Sequence, residues 1–225
     1  MKVNKVFCFF EQSGTFKNVL KELGYNAYDV DIVNAVAVDY NIDLFNHIEL
    51  AYDGYESIFD IIASNDLIIA FFPCIRFTPR MNPMYKMRRG LNDIAMLNRN
   101  IRFMAETNNL YSLFCKLFIV CAKRGLRLIV ENPYRVDSFL NRYFAFEPKY
   151  IDYNRALHGD SFEKPTQYFF YNFEPCDLLF FSCVENVPLK KVEKLSSKQR
   201  SLISKNYAYW FLVNVVGLEF KCNNG

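Results

Sequence analysis

Three apolar runs in this chain end in groups that can do chemistry. LIIAFFPCIRF (67–77) reaches Pro73-Cys74, LRLIVENP (126–133) reaches Glu131-Asn132-Pro133, and VNKVFCFF (3–10) runs into Glu11-Gln12-Ser13-Gly14. A cysteine becomes a nucleophile when cations or a helix N-terminus lower its pKa. Cys74 is followed by Arg76, Arg80, Lys86, Arg88 and Arg89, with no acid before Asp93. That stretch is expected to lower the thiol pKa and to offer a surface for nucleic-acid phosphates. The plainer reading is a small apolar side chain packed beneath a strand end, followed by a solvated basic loop. Glu131 closes a buried strand, where a carboxylate is costly unless it is paired or used. A helix cap or a salt bridge to an arginine is the structural alternative. FEQSGTF places a polar turn with one glycine before a helix, where backbone N–H groups can hold an anion or a cofactor edge. Asp31, ending NAYDVDI, stands where a carboxylate grips the ribose of a nucleotide-type cofactor.

These groups need strands and helices to position them. The spacing predicts a strand over 3–10 and a helix over Thr15–Leu23, with Phe16, Val19, Leu20 and Leu23 on one face. Gly24 sits where a left-handed cap stops that helix. NAYDVDI is a second strand, completing a β-α-β unit. Residues 34–65 read as two short helices broken at Asp53-Gly54, and DLIIAFF as a central parallel strand. Apolar residues at 94, 97, 101 and 104, then 110, 113, 114, 117, 118 and 121, predict a long helix from Met84 to Arg124. An interruption is expected near Thr107-Asn108-Asn109. FLNRYFAF reads as a short helix, KYIDY and TQYFFYN as strands, and SKQRSLISKNYAYWFLVNVVG as a closing amphipathic helix. Alternating strands and helices predict an α/β fold with a mostly parallel central sheet flanked by helices. In such sheets functional residues collect at the carboxyl ends of strands.

At 225 residues the chain suits a single domain spanning 1–225, with 185–200 (ENVPLKKVEKLSSKQR) a solvated loop. A net charge of +3 argues for no partner by itself. Seven cysteines without a CxxC pair and two histidines argue against a zinc site and for reduced thiols in a cytoplasmic protein. Apolar residues 6–10 are too short for a signal peptide, and no run has the length of a membrane span. Cys115, Cys121, Tyr207, Trp210, Phe211 and Val215 read as packing residues, and His47 and His158 as surface or capping groups.

In order, FEQSGTF, VDI, FFPCIRF and VENP resemble the core of the DNA cytosine-5 methyltransferases over roughly residues 5–135. KPTQYFFYN and QRSLISKNYAYWF resemble segments of short, phage-type members. The resemblance implies a Rossmann-like S-adenosylmethionine-dependent methyltransferase fold and a DNA-modifying enzyme of a phage or mobile element. By it, Phe10, Glu11, Gln12, Ser13, Gly14, Thr15, Asp31 and Pro73 would bind S-adenosylmethionine, with Phe10 and Gly14 shaping the turn and Asp31 holding the ribose. Cys74 would attack carbon 6 of a flipped cytosine, making carbon 5 nucleophilic. Glu131 would hydrogen-bond the N3 edge of the base and supply or share the activating proton. Arg76, Arg80, Lys86, Arg88 and Arg89 would face DNA.

The chain departs from the family pattern at several points. Gln12 stands where the first glycine of the FxGxG turn belongs. No QxRxR segment is present, though Arg155 and Lys164 offer basic groups. Only one proline follows Glu131-Asn132, unlike the Asn-Pro-Pro-Tyr turn of amino-methyltransferases. The segment after the last core strand is too short for a full target-recognition domain. Three functions remain: cytosine methylation in DNA; a catalytically degenerate relative that binds nucleic acid or a partner; and action on a free nucleotide through the same cysteine.

Overall fold

The computed structural model describes residues 2–32, 38–77, 93–176 and 202–221. Arg80, Lys86, Arg88, Arg89, the loop 185–200 and the start of the expected closing helix lie outside them.

Short, mostly buried strands build the sheet. Among the described residues it has seven strands in the order β3-β2-β1-β4-β5-β7-β6. They are β1 (Lys5–Phe9), β2 (Asn26–Asp31), β3 (Tyr40–Asn41), β4 (Leu67–Ala70), β5 (Arg127–Pro133), β6 (Tyr150–Asp152) and β7 (Thr166–Tyr171). The first five are mutually parallel, and β7 runs antiparallel to both β5 and β6. The sheet is therefore mostly parallel and mixed, within an α/β fold.

Strand side chains alternate between two cores. Phe7 and Phe9 of β1 enter one with Ile68, Leu128, Val130 and Phe169. Val6 and Cys8 enter the other with Ile69, Ile129, Tyr168 and Phe170. The first core is closed by α2 (Leu44–Asp53) and α3 (Asp93–Arg124), with α4 (Phe139–Tyr143) at its margin. The second is closed by α1 (Thr15–Glu22), α5 (Lys205–Trp210) and the π-helical turn Phe211–Val215. Each Phe or Leu buried this way contributes about 1.5–3 kcal/mol, so both faces of the sheet hold it in register.

The β1-α1-β2 unit forms as its spacing predicts. α1 buries Phe16, Val19 and Leu20, and Gly24 adopts φ +86° just past its end. Asp43 caps α2 by accepting from Phe45 N at 3.0 Å and Asn46 N at 3.4 Å, and Gly54 ends it in the left-handed region. A 3-10 turn, Ile58–Ile61, takes the place of the second short helix.

α3 corrects the expected interruption, because it is continuous through Thr107-Asn108-Asn109. Thr107 is buried, and its hydroxyl donates to Phe103 O at 2.8 Å within the helix. That local bond satisfies the polar group without breaking the ladder. The apolar stripe Ile94, Leu97, Ile101 and Met104 on the first half of α3 is exposed rather than buried. The closing helix is also shorter than its pattern. Its α-helical part starts at Lys205, capped by Ser204 Oγ accepting from Tyr207 N.

Candidate active site

Parallel strands bring their carboxyl ends to one edge, and β1 lies between β2 and β4 there. In doubly wound sheets a ligand crevice opens where the strand order reverses, here between β1 and β4. A cleft of about 530 Å³ occupies this edge. Its lining includes Phe10, Glu11, Gln12 and Ser13 after β1, Asp31 and Ile32 at the end of β2, Pro73 and Cys74 after β4, and Glu131 of β5. Gly14 and Thr15 lie just behind it, as the cap and first residue of α1.

The turn after β1 is conformationally unusual. Phe10 adopts φ +60°, one of two non-glycine residues with positive φ among those described. Gly14 adopts φ +68° and suits its residue type. Gln12 is not in that region, so this position has no backbone need for glycine, and its exposed side chain lines the cleft.

Glu11 changes what the turn can bind. Its buried carboxylate accepts from Phe16 N at 2.8 Å, Lys17 N at 3.4 Å and Ser13 Oγ at 3.1 Å. Thr15 N donates to Ser13 Oγ, and Asn18 N to Gly14 O. The free N–H groups of a helix start are its usual anion site, and in α1 the chain's own acceptors take those of Thr15, Phe16 and Lys17. These three N–H groups are therefore not open to a ligand.

Behind the turn, Cys8, Glu11 and Asp29 are buried with their ligating atoms within 4.8 Å of one another. Lys17 lies 3.0 Å from both Asp29 and Asp39, and so supplies the cation at this cluster. Burial pushes the Glu11 carboxyl from its ordinary 4.5 up to about 7, and Asp29 adds to the rise against the hydrogen bonds. Burial likewise raises Asp29, although Lys17 opposes it.

Cys74 is half-buried at the start of a turn in which Phe77 N donates to Cys74 O at 2.9 Å. Phe72 and Phe77 flank it and stack on each other with centroids 6.3 Å apart, and both pack on Phe114. These rings fix the backbone that carries the thiol. Asn132 Nδ2 donates to Phe72 O at 3.2 Å, tying the ends of β4 and β5 together.

Glu131 Oε1 is buried and has no hydrogen-bond partner among the described residues. Neither the helix cap nor the arginine bridge considered for it is present there. Its charge instead acts on the thiol. Burial raises the Cys74 pKa above its ordinary value, Glu131 raises it further, and Lys164 pulls it back. Among the described residues, desolvation and a neighbouring carboxylate outweigh the cation that acts on the thiol. Arg76, the one described member of the basic stretch after Cys74, pairs with Glu106 and lies over the Phe103 ring at 4.8 Å. It does not line the cleft.

Lys164, one of the two basic groups noted in place of a QxRxR segment, lines the cleft, joined by Asp43, Phe45, Leu202 and Ile203, which sequence reasoning did not single out. Lys164 precedes β7, and no periodicity marks it, because only the antiparallel return of β7 beside β5 brings it there. Asp43 is both the cap of α2 and a wall of the cleft. Arg155 is fully buried, paired with Asp160 and stacked over Tyr207 at 5.2 Å, so it does not reach a ligand.

No protein-family model matches the chain, and no curated protein matches it.

Proposed function

We propose that the chain is an S-adenosylmethionine-dependent methyltransferase that modifies cytosine in DNA through Cys74. One observation carries this reading: four motifs far apart in sequence converge on one cleft, namely the turn 10–13, Asp31, Pro73-Cys74 and Glu131. The order β3-β2-β1-β4-β5, with its crevice beside β1, suits the Rossmann-like fold that the sequence resemblance implies.

The lining fits this cofactor better than a dinucleotide. The N–H groups of Thr15, Phe16 and Lys17 are already taken and so not open to a pyrophosphate. Among the described residues, the charged members of the mostly apolar lining are the acids Glu11, Asp31, Asp43 and Glu131 against the single cation Lys164. Such a lining suits a cationic sulfonium. When bound, S-adenosylmethionine would supply an electrophilic methyl group. Asp31 would hold its ribose, with Phe10, Phe45 and Phe72 as apolar walls. Cys74, its thiol proton released to solvent, would add to carbon 6 of the base while Glu131, carrying a proton, gives it to N3. Loss of the carbon 5 proton after methylation would then expel the Cys74 thiolate and restore the ring. Lys164 would accompany the thiolate as it forms. A base must leave the helix or come from a single strand to enter so narrow a space.

A second reading, a degenerate relative that binds without methyl transfer, draws on the raised thiol pKa and on Arg76 being already paired. One experiment separates the two. Transfer of labelled methyl from S-adenosylmethionine is measured on duplex DNA, single-stranded DNA and dCMP, alongside cofactor calorimetry. The wild type is expected to methylate cytosine, and Cys74→Ala to lose all transfer with its cofactor affinity unchanged. Methylation by the Cys74→Ala protein would remove the nucleophile. Cofactor binding without transfer on any substrate would select the degenerate reading, and activity on dCMP alone would name a free nucleotide.

A further inference from the structure

His158 is half-buried and held on two sides. Its ring stacks on the Trp210 indole, with centroids 3.7 Å apart and planes 10° from parallel. Its Nδ1 lies 2.9 Å from Oδ2 of the buried Asp152, and the other oxygen of that carboxylate accepts from Asn154 N at 3.0 Å. Ring contact and a bond to a carboxylate thus act together on one imidazole. The 3-10 turn that His158 ends, Arg155–His158, is fastened to α5 at three points. Ser204 Oγ, at the start of α5, donates to Gly159 O at 2.6 Å. Arg155, paired with Asp160, stacks over Tyr207 in the middle of α5, and His158 meets Trp210 at its end. The cleft wall continues from this clasp, for Ile203 directly precedes Ser204, and Lys164 stands on the short bridge from Gly159 to β7. That bridge is tied at Gly159 by Ser204, and at Pro165, whose carbonyl accepts from Tyr134 N at 3.0 Å. Between the ties, Lys164 N donates to Phe162 O at 2.9 Å, a bond within the bridge. The line of the bridge therefore sets how closely the Lys164 ammonium approaches Cys74 across the cleft.

We propose that His158 is a positioning residue: by joining Asp152 to Trp210 it fixes the Gly159 end of the bridge and so keeps Lys164 within reach of the Cys74 thiol. The inference concerns the surroundings of the thiol. It holds whichever substrate or cofactor the cleft takes, and its test uses neither.

Two charges act on that thiol, Glu131 of β5 opposing its ionisation and Lys164 favouring it. Alkylation of Cys74 by iodoacetamide is followed against pH in the full chain and read on the Cys74 peptide by mass spectrometry. His158→Ala is expected to move the alkylation midpoint up by about 0.3–0.6, because Lys164 no longer compensates Glu131. In a Lys164→Met background the same change is expected to move it no further. The sign separates positioning from a merely structural role, since general loosening would hydrate the sulfur and move the midpoint down. Ser204→Ala, which releases Gly159 from the α5 side, is expected to shift the midpoint in the same direction. It takes the place of His158→Ala if circular dichroism shows that variant unfolded. An unchanged or lower midpoint in a folded variant, or an equal further rise in the absence of Lys164, overturns the proposal.

Discussion

Glu131 and Lys164 act on the Cys74 thiol in opposite directions, and burial sides with Glu131. The thiol is therefore held protonated until something offsets the carboxylate. On the proposed function, a base that hydrogen-bonds Glu131 would do this and so couple substrate entry to formation of the nucleophile. Alkylation by iodoacetamide, followed on the Cys74 peptide by mass spectrometry, reads that coupling directly. Glu131→Gln is expected to move the pH midpoint of alkylation down by about 0.5–1, and Lys164→Met to move it up by a similar amount. Identical profiles in all three proteins would show that neither charge reaches the sulfur. The residue types at this site were readable from strand ends alone. The sign of the thiol shift was not, because burial and Glu131 act only in the folded chain, where Arg76, the described member of the basic stretch, is drawn off to Glu106.

Among the elements, α1 carries both the turn and the segment that packs beneath its far end. Lys221 N donates to Leu23 O at 3.0 Å, and Lys221 Nζ to Val3 O at 2.8 Å, so the end of the described chain docks where α1 stops. Gly24 makes this possible: at φ +86° a Cβ would lie 2.6 Å from Lys221 O. Gly54 has nearly the same φ, +88°, but open space around it. Both Gly→Ala changes incur left-handed strain of about 1 kcal/mol, and Gly24→Ala is expected to cost about 1–3 kcal/mol in total. Urea unfolding of the two variants isolates the difference; equal losses would mean that the contact with Lys221 is unimportant. The helix and its stop were legible because apolar spacing and glycine act locally. The break expected in α3 failed for the complementary reason: a buried threonine bonded back to its own helix looks in sequence like a polar interruption.

For the molecule as a whole, the buried acids behind the turn make stability depend on pH. Glu11 has a raised pKa, about 7 against an ordinary 4.5, so between these values the folded chain keeps a proton that the unfolded chain has released. Stability from this group is complete below about 4.5 and is lost as pH rises through about 7. Asp29, also raised, has the same sign, whereas Asp39, lowered by its bonds to Asp29 N and Lys17 against burial, acts oppositely and only in the acid range. Chemical denaturation from pH 5 to pH 8 is therefore expected to show a loss of about 1–3 kcal/mol, and Glu11→Gln to flatten most of that slope. A wild-type slope retained in the variant would place the titrating group elsewhere.

By itself the sequence determined the α/β class, most strand positions and the four chemical motifs. Buried strands and amphipathic helices are written in local apolar patterns, and parallel strands necessarily turn their carboxyl ends to one edge. Three features required the tertiary structure: the reversed β7 that delivers Lys164, the capture of the α1 N–H groups by Glu11, and the raised pKa of Cys74. Each depends on desolvation and on which distant groups share a few ångströms. A linear pattern does not encode those quantities, because they arise only when the sheet brings β1, β2, β4, β5 and β7 together.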